Sequence, residues 1–340
     1  MEKGDQMEKD GGKKRKLVIG TRGSLLALWQ ANWVRSELEK AAPGLDVELN
    51  IIKTTGDKIL DAPLAKVGGK GLFVKEIEDA LVSGRVDLAV HSMKDVPTEL
   101  PCELHIAAIC RREDPGDALV LKTKTERGLM GLASLHGGAR VGTSSLRRSC
   151  QILNVRPDLK VESLRGNLDT RIKKLDRGDF DAIVLAVAGM KRLGFADRIT
   201  RVLPPDIMLP AIGQGAVGIE CRRGDLRTNA LAGGLNHEET SVAVRAERAF
   251  LLRLEGGCQV PIAAYARAAG DGAWRIDGLV GDPSGAEVLR GSVEWRGKEP
   301  AEAEKAGTRL AETLIAQGAG RILARVYGRD IPSVENDIST

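Results

Sequence analysis

With only ten aromatic residues among 340, four histidines and five cysteines, this chain is poor in groups that stack on bases, ligate metals or cross-link a fold. A surface for single-stranded nucleic acid needs rings interleaved with basic residues, and few rings are available to build one. Lys plus Arg number 51 and Asp plus Glu 47, so the formal charge is only +4 and no broad basic field could hold a duplex. The cysteines at 102, 110, 150, 221 and 258 are odd in number and include no CxxC pair, which argues against both a disulfide framework and a zinc knuckle. No histidine has a second ligand at metal spacing, so no metal is expected. No apolar run reaches the length of about 18 residues that a membrane span requires. Residues 1–15 mix Glu and Asp with Lys and Gly and read as a disordered tail rather than a secretion signal or transit peptide. The expectation is a cytoplasmic protein with neither a membrane nor a nucleic-acid partner.

What is present is an ordinary globular balance, 42% hydrophobic and 29% charged, in a chain long enough for two or three domains. From 17 the apolar runs alternate in type: LVIG (17–20), a helical stretch after a candidate N-cap at Ser24, VELNIIK (47–53), the helix LFVKEIEDALVSG (72–84) and RVDLAVHS (85–92), halted by Pro97. The same order recurs from 139, with ARVG, LRRSCQILN, LKVESLRG, NLDTRIKKLDRG and FDAIVLAV. VIGTRGSL echoes RVGTSSL, and RVDLAVHSMK echoes FDAIVLAVAGMKR. Two similar α/β lobes follow, joined by crossings near 111–118 and 205–216, and a chain that crosses twice makes a hinge over a cleft. The expected limits are 16–111 plus 216–235 for the first lobe and 116–210 for the second. A smaller α+β domain over 238–328 carries one helix, a Gly-Gly loop, three strands and a long helix from 300 to 326.

Arginines gather where such a sheet meets its ligand: Arg22, the pair Arg147 and Arg148, Arg165, Arg171 and Arg192 stand at strand ends and helix starts of the repeated units. A single arginine there is ordinarily a solvated surface residue, but six in equivalent places point to a polyanion. GTRGS and GTSS lack the phosphate-loop pattern, which favours carboxylates over phosphate. Asp95, beside Lys94 in HSMKDVP, is either a carboxylate for a cationic intermediate or an Asx turn before Pro97. His91 reads as a satisfied core histidine. Cys258, in EGGCQVP, is either a loop thiol able to attack an electrophilic carbon or an inert thiol, while Cys102, Cys110, Cys150 and Cys221 look like small core hydrophobes.

Together HSMKDVP (91–97), GTSSLRR (142–148), LRGNLDTR (164–171), LPAIGQGAVGIECR (209–222) and EGGCQVPI (255–262) resemble the porphobilinogen deaminase family, and the resemblance runs from about 16 to 328. It implies two doubly crossed α/β lobes of the periplasmic-binding-protein type plus a C-terminal α+β domain. It also implies a transferase of tetrapyrrole and haem biosynthesis that condenses four porphobilinogen molecules head to tail, with loss of ammonia, to hydroxymethylbilane. The family's dipyrromethane cofactor falls, by this resemblance, on Cys258 through a thioether. Asp95 then becomes the catalytic carboxylate. Lys94, Ser145, Arg147, Arg148 and Arg171 match positions that hold cofactor carboxylates, and Arg22, Ser24, Arg165 and Arg192 match those around the incoming substrate. A monomer is expected, with porphobilinogen as its small-molecule partner. Gly116 stands where the family often has Arg, and Ala263 where Gly is usual. The competing reading is a two-lobed organic-anion-binding protein without chemistry.

Overall fold

A computed structural model describes residues 15–58, 74–122, 131–255 and 260–327. The first sheet contains β1 (Arg15–Thr21), β2 (Leu45–Ile51), β3 (Leu88–Ser92), β4 (Leu104–Ile109) and β10 (Val217–Arg222), in the order β2-β1-β3-β10-β4. The second contains β5 (Asp117–Leu121), β6 (Arg140–Gly142), β7 (Lys160–Glu162), β8 (Ala182–Ala186) and β9 (Arg201–Leu203), in the order β7-β6-β8-β5-β9. In each sheet the first three strands run parallel and the other two pairings are antiparallel. The orders correspond strand for strand. Each lobe receives one central antiparallel strand after a crossing: β5 enters the second lobe from the first, and β10 returns to the first from the second. The expected pair of doubly crossed α/β lobes is the observed architecture.

Alternation of side chains explains why both faces of each sheet are covered. In the second sheet Leu119, Leu121, Ala182 and Val184 face one cluster with Ile152 of α4 (Leu146–Val155), whereas Ala118, Val120, Ile183 and Leu185 face another with Ile172 and Leu175 of α5 (Leu168–Arg177). In the first sheet Ile19, Leu88, Val90 and Ile219 pack under Ala31, Val34 and Leu38 of α1 (Leu25–Ala41). The opposite face of that sheet meets Ile77, Ala80 and Leu81 of α3 (Lys75–Val82), a short helix α2 (Thr55–Lys58) having preceded it. The lobes are completed by α6 (Val187–Arg192) and α7 (Leu226–Gly233).

The C-terminal part is a meander of β11 (Ile262–Gly270), β12 (Ala273–Gly281) and β13 (Val288–Arg296), packed on α8 (Glu238–Arg253), α9 (Pro300–Ala316) and α10 (Ala319–Tyr327) around Phe250, Ile276, Leu310 and Leu314. The long helix expected from 300 to 326 is two helices, because Gly318 adopts φ +107 and turns the chain between them. The first helix of this domain begins at Glu238, capped by the ring of His237, which accepts from the Thr240 amide at 3.3 Å. β3 starts at Leu88 rather than Arg85; there the Asp87 carboxylate accepts the Val18 amide at 2.8 Å. Cys110, Cys150 and Cys221 are buried, but Cys102 is exposed on the turn before β4, not a core residue as expected. Among the described residues no helix is long and apolar enough to cross a membrane.

Candidate functional site

The carboxyl ends of the parallel strands carry the charged side chains. β1 ends at Thr21, Arg22 follows, and Ser24 caps α1 by accepting the Ala27 amide at 3.3 Å. β6 ends at Gly142, and Ser145 caps α4 by accepting the Arg148 amide at 3.4 Å, which puts Arg147 and Arg148 in the first helical turn. β7 leads to Arg165, and α5, capped at Asn167, carries Arg171 one turn in. Arg192 is the exception to the expected placement, since it closes the six-residue helix α6 rather than opening one. β3 ends at Ser92 and passes into a single 3₁₀ turn, Met93–Asp95, which presents Lys94 and Asp95.

The return crossing fixes that turn from behind. Gly213 and Gly215 hold φ of +68 and +90, a region open to glycine at little cost. A Cβ on Gly213 would stand 2.8 Å from Met93 Cβ, and one on Gly215 would stand 2.3 Å from the Glu113 carbonyl oxygen. The motif GQG is therefore set by close approach of backbone to backbone where the two crossings and the Asp95 turn meet. Arg248 of α8 adds a clasp from the C-terminal domain, donating to the carbonyls of Val96 at 3.1 Å and Pro97 at 2.6 Å.

Asp117 is the buried pivot of the site. Fully enclosed at the start of β5, it accepts from Arg147 Nη1 at 2.6 Å, Arg148 Nη2 at 2.7 Å, Arg148 Nε at 3.0 Å and Gln214 Nε2 at 3.0 Å. Burial alone would raise its pKa, but Arg147 and then Arg148 outweigh that and hold it well below the usual carboxylate range. Arg147 Nη1 also donates to the Leu209 carbonyl at 2.7 Å and Arg148 Nη1 to that of Val184 at 3.0 Å, so both guanidinium planes are locked.

Lys94 is partly exposed, but the protein around it desolvates its ammonium. That desolvation, opposed by Asp95 and reinforced by Arg148, lowers its pKa to about 8. Arg171, which donates through Nε to the Gly166 carbonyl at 2.7 Å, is lowered to about 10 by burial and by Arg148, with Asp95 acting the other way. Lys94, Asp95, Arg147, Arg148 and Arg171 thus interact as one cluster around Asp117. Four cations face two carboxylates there. Asp95 is exposed, and among the described residues nothing hydrogen-bonds its carboxylate, so the Asx-turn alternative has no support in the geometry.

Arg22, Arg165 and Arg192 are partly exposed, and Lys174 Nζ donates to the Arg165 carbonyl at 3.2 Å. His91 is the satisfied core histidine expected, buried on β3 with Nε2 2.9 Å from Glu220 Oε2. Cys258 lies outside the described residues. Among those described, no group of His, Cys, Asp and Glu is arranged to hold a metal.

Sequence reasoning passed over Asp117, Gln214, Arg112, Glu247 and Arg248. Arg112 and Glu247 form a buried two-pronged pair at 2.6 and 3.1 Å, and Glu247 also accepts the amides of Gly213 at 2.7 Å and Ala266 at 2.9 Å. One side chain thereby ties both crossings to the third sheet. The available signals were an acid opening the wholly apolar strand DALVL and an acid on the apolar face of AERAF; neither names its partner. At the two departures from the common pattern, a Cβ on Gly116 would stand 2.9 Å from Val202 Cγ1, and Ala263 is buried against Leu209 and Leu279 between β11 and the second lobe.

Residues 17–230 match the family model described as porphobilinogen deaminase, dipyromethane cofactor binding domain, and residues 241–316 match that of the porphobilinogen deaminase C-terminal domain. Among solved structures the chain is similar to the VFT2 domain of BvgS from Bordetella pertussis, at 16% identity and a TM-score of 0.38 over 64% of this chain and 84% of that one. It is also similar to the aliphatic sulphonate binding protein SsuA from Escherichia coli, at 16% identity and 0.38 over 72% and 71%. A TRAP periplasmic solute binding protein from Desulfovibrio salexigens gives 12% and 0.41 over 67% and 74%. Likeness at these scores bears on neither function nor site.

Proposed function

This chain belongs to the porphobilinogen deaminase family, and from that premise we propose that it joins four porphobilinogen molecules head to tail, releasing one ammonia for each, after which one water cuts the finished chain from its anchor and supplies the hydroxyl of hydroxymethylbilane. The observation that carries the reading is the cluster around Asp95: an exposed carboxylate that no side chain of the described residues pairs, beside Lys94 and Arg171, two cations whose pKa values burial lowers. A polycarboxylate supplies anionic partners for both. A dipyrromethane bearing acetate and propionate groups fits this donor set, and when bound through a thioether at Cys258 it supplies the pyrrole position to which substrate is joined.

Lys94, Ser145, Arg147, Arg148 and Arg171 hold its carboxylates in this reading, and Arg147 and Arg148, each also bonded to Asp117 and to one backbone carbonyl, fix the pivot as well. Arg22, Ser24, Arg165 and Arg192 meet the acetate and propionate of the incoming substrate. As ammonia leaves, the carbon–nitrogen bond breaks and positive charge develops on the substrate pyrrole. The Asp95 carboxylate faces that charge and holds the proton released when the new carbon–carbon bond forms. We place the domain limits at 16–111 with 216–235, 116–210 and 238–328, and the enzyme in the cytoplasm as a monomer. The binding-protein alternative is not favoured, because the C-terminal family domain is present as well.

The test is stoichiometric. Purified enzyme given porphobilinogen should release four ammonia per hydroxymethylbilane, and Asp95→Asn should lose about a hundredfold or more of that rate while keeping its fold and its cofactor. Near-normal turnover by cofactor-loaded Asp95→Asn would remove the carboxylate from the chemistry.

A further inference from the structure

Arg192 has a partner in the opposite lobe that the functional reading does not use. Its guanidinium carbon stands 5.4 Å from the ring centroid of Trp29, on the second turn of α1, while its Nη2 donates to the Gly215 carbonyl at 2.7 Å. The two helices are close neighbours here, since a Cβ on Gly189 of α6 would lie 3.7 Å from Leu26 Cδ2. Trp29 remains 37% exposed, so core packing alone does not account for a large ring at this position. Next to it, Gln30 turns inward and donates to Ser92 Oγ at 2.9 Å, anchoring this turn of α1 to the end of β3 just before Lys94 and Asp95.

A guanidinium has a face and an edge. The face is attracted by an aromatic quadrupole, and the edge carries the N–H donors, so a ring and a carboxylate can engage the same arginine without competing. The Arg192 guanidinium lies over the indole ring and Gly215 takes one donor, and among the described residues Nε and Nη1 donate to nothing. Two separate contacts leave the guanidinium little freedom, which spares an arriving anion the cost of immobilising a long side chain. We infer that Trp29 is a positioning residue for substrate capture: its ring holds the Arg192 guanidinium across the cleft so that the remaining donors await a carboxylate of porphobilinogen.

This rests on the reading of Arg192 as a substrate ligand, and the experiment separates the two. Steady-state kinetics with the cofactor-loaded enzyme should show KM for porphobilinogen rising roughly five- to thirtyfold in Trp29→Leu, with kcat within about twofold of wild type. Trp29→Phe, which keeps a smaller aromatic face, should recover part of the loss. In an Arg192→Met background, Trp29→Leu should add nothing, since the ring acts only through that guanidinium. Substrate binding should also change indole emission in the wild type, and that change should vanish in Trp29→Phe. An unchanged KM in Trp29→Leu, or an equal further rise in the Arg192→Met background, overturns the inference while leaving the enzyme class intact. A wild-type enzyme that makes no hydroxymethylbilane sinks the functional reading and this inference with it.

Discussion

At the scale of single residues, the site is defined by where charge is left uncompensated. Lys94 shows it most directly, its ammonium held to about 8 by desolvation with Arg148 adding to the effect and Asp95 opposing it. A lysine binds a carboxylate only while protonated, and a bound carboxylate raises its pKa in return. The affinity of the cofactor-free chain for a simple dicarboxylate such as succinate should therefore fall as the pH rises through about 8. Calorimetric titrations should show weaker binding without that step in Lys94→Met, and a wild-type profile flat across the same range contradicts the account. Asp95, Lys94 and the arginine pair were legible because their motifs recur at strand ends. Asp117 was not: within DPGD it looks like another turn acid, and only the meeting of β5 with α4 shows that it sits beneath two guanidinium groups.

At the scale of elements, hydrophobic alternation and helix caps made most of each lobe legible. Ser24 caps α1 as its position suggested, and α5 ends at Gly178 in the left-handed region, φ +88. The antiparallel strands were harder to place, because β10 pairs with β3 across more than a hundred residues and no local pattern encodes that choice. The GQG crossing shows how an element's sequence can be dictated by a neighbour. Gly215→Ala forces a side chain into the left-handed region and drives its Cβ to 2.3 Å from a carbonyl oxygen, so the loss should be at least about 2 kcal/mol of stability. Gly224→Ala is the control, its Cβ meeting nothing within 4 Å. Chemical denaturation of both variants checks this; equal midpoints would show that the crossings do not pack as tightly as the backbone approach implies.

At the scale of the whole molecule, three sheets converge on the short stretch where the crossings meet. Glu247 binds Arg112 from one crossing, Gly213 from the other and Ala266 of the third sheet, while Arg248 grips the chain just after Asp95. The C-terminal domain is thereby fastened to both crossings and to the turn that carries Asp95. The central claim is that this framework serves a covalent, stepwise polymerisation rather than reversible capture of an anion. Denaturing mass spectrometry of the purified protein tests it most directly. The account predicts a chain heavier than its sequence by a two-pyrrole adduct on Cys258, absent from Cys258→Ser, and, after brief exposure to porphobilinogen, a ladder of equal steps of one substrate less ammonia that stops at a small fixed number. A chain of unmodified mass that stays unmodified in the presence of substrate would contradict it.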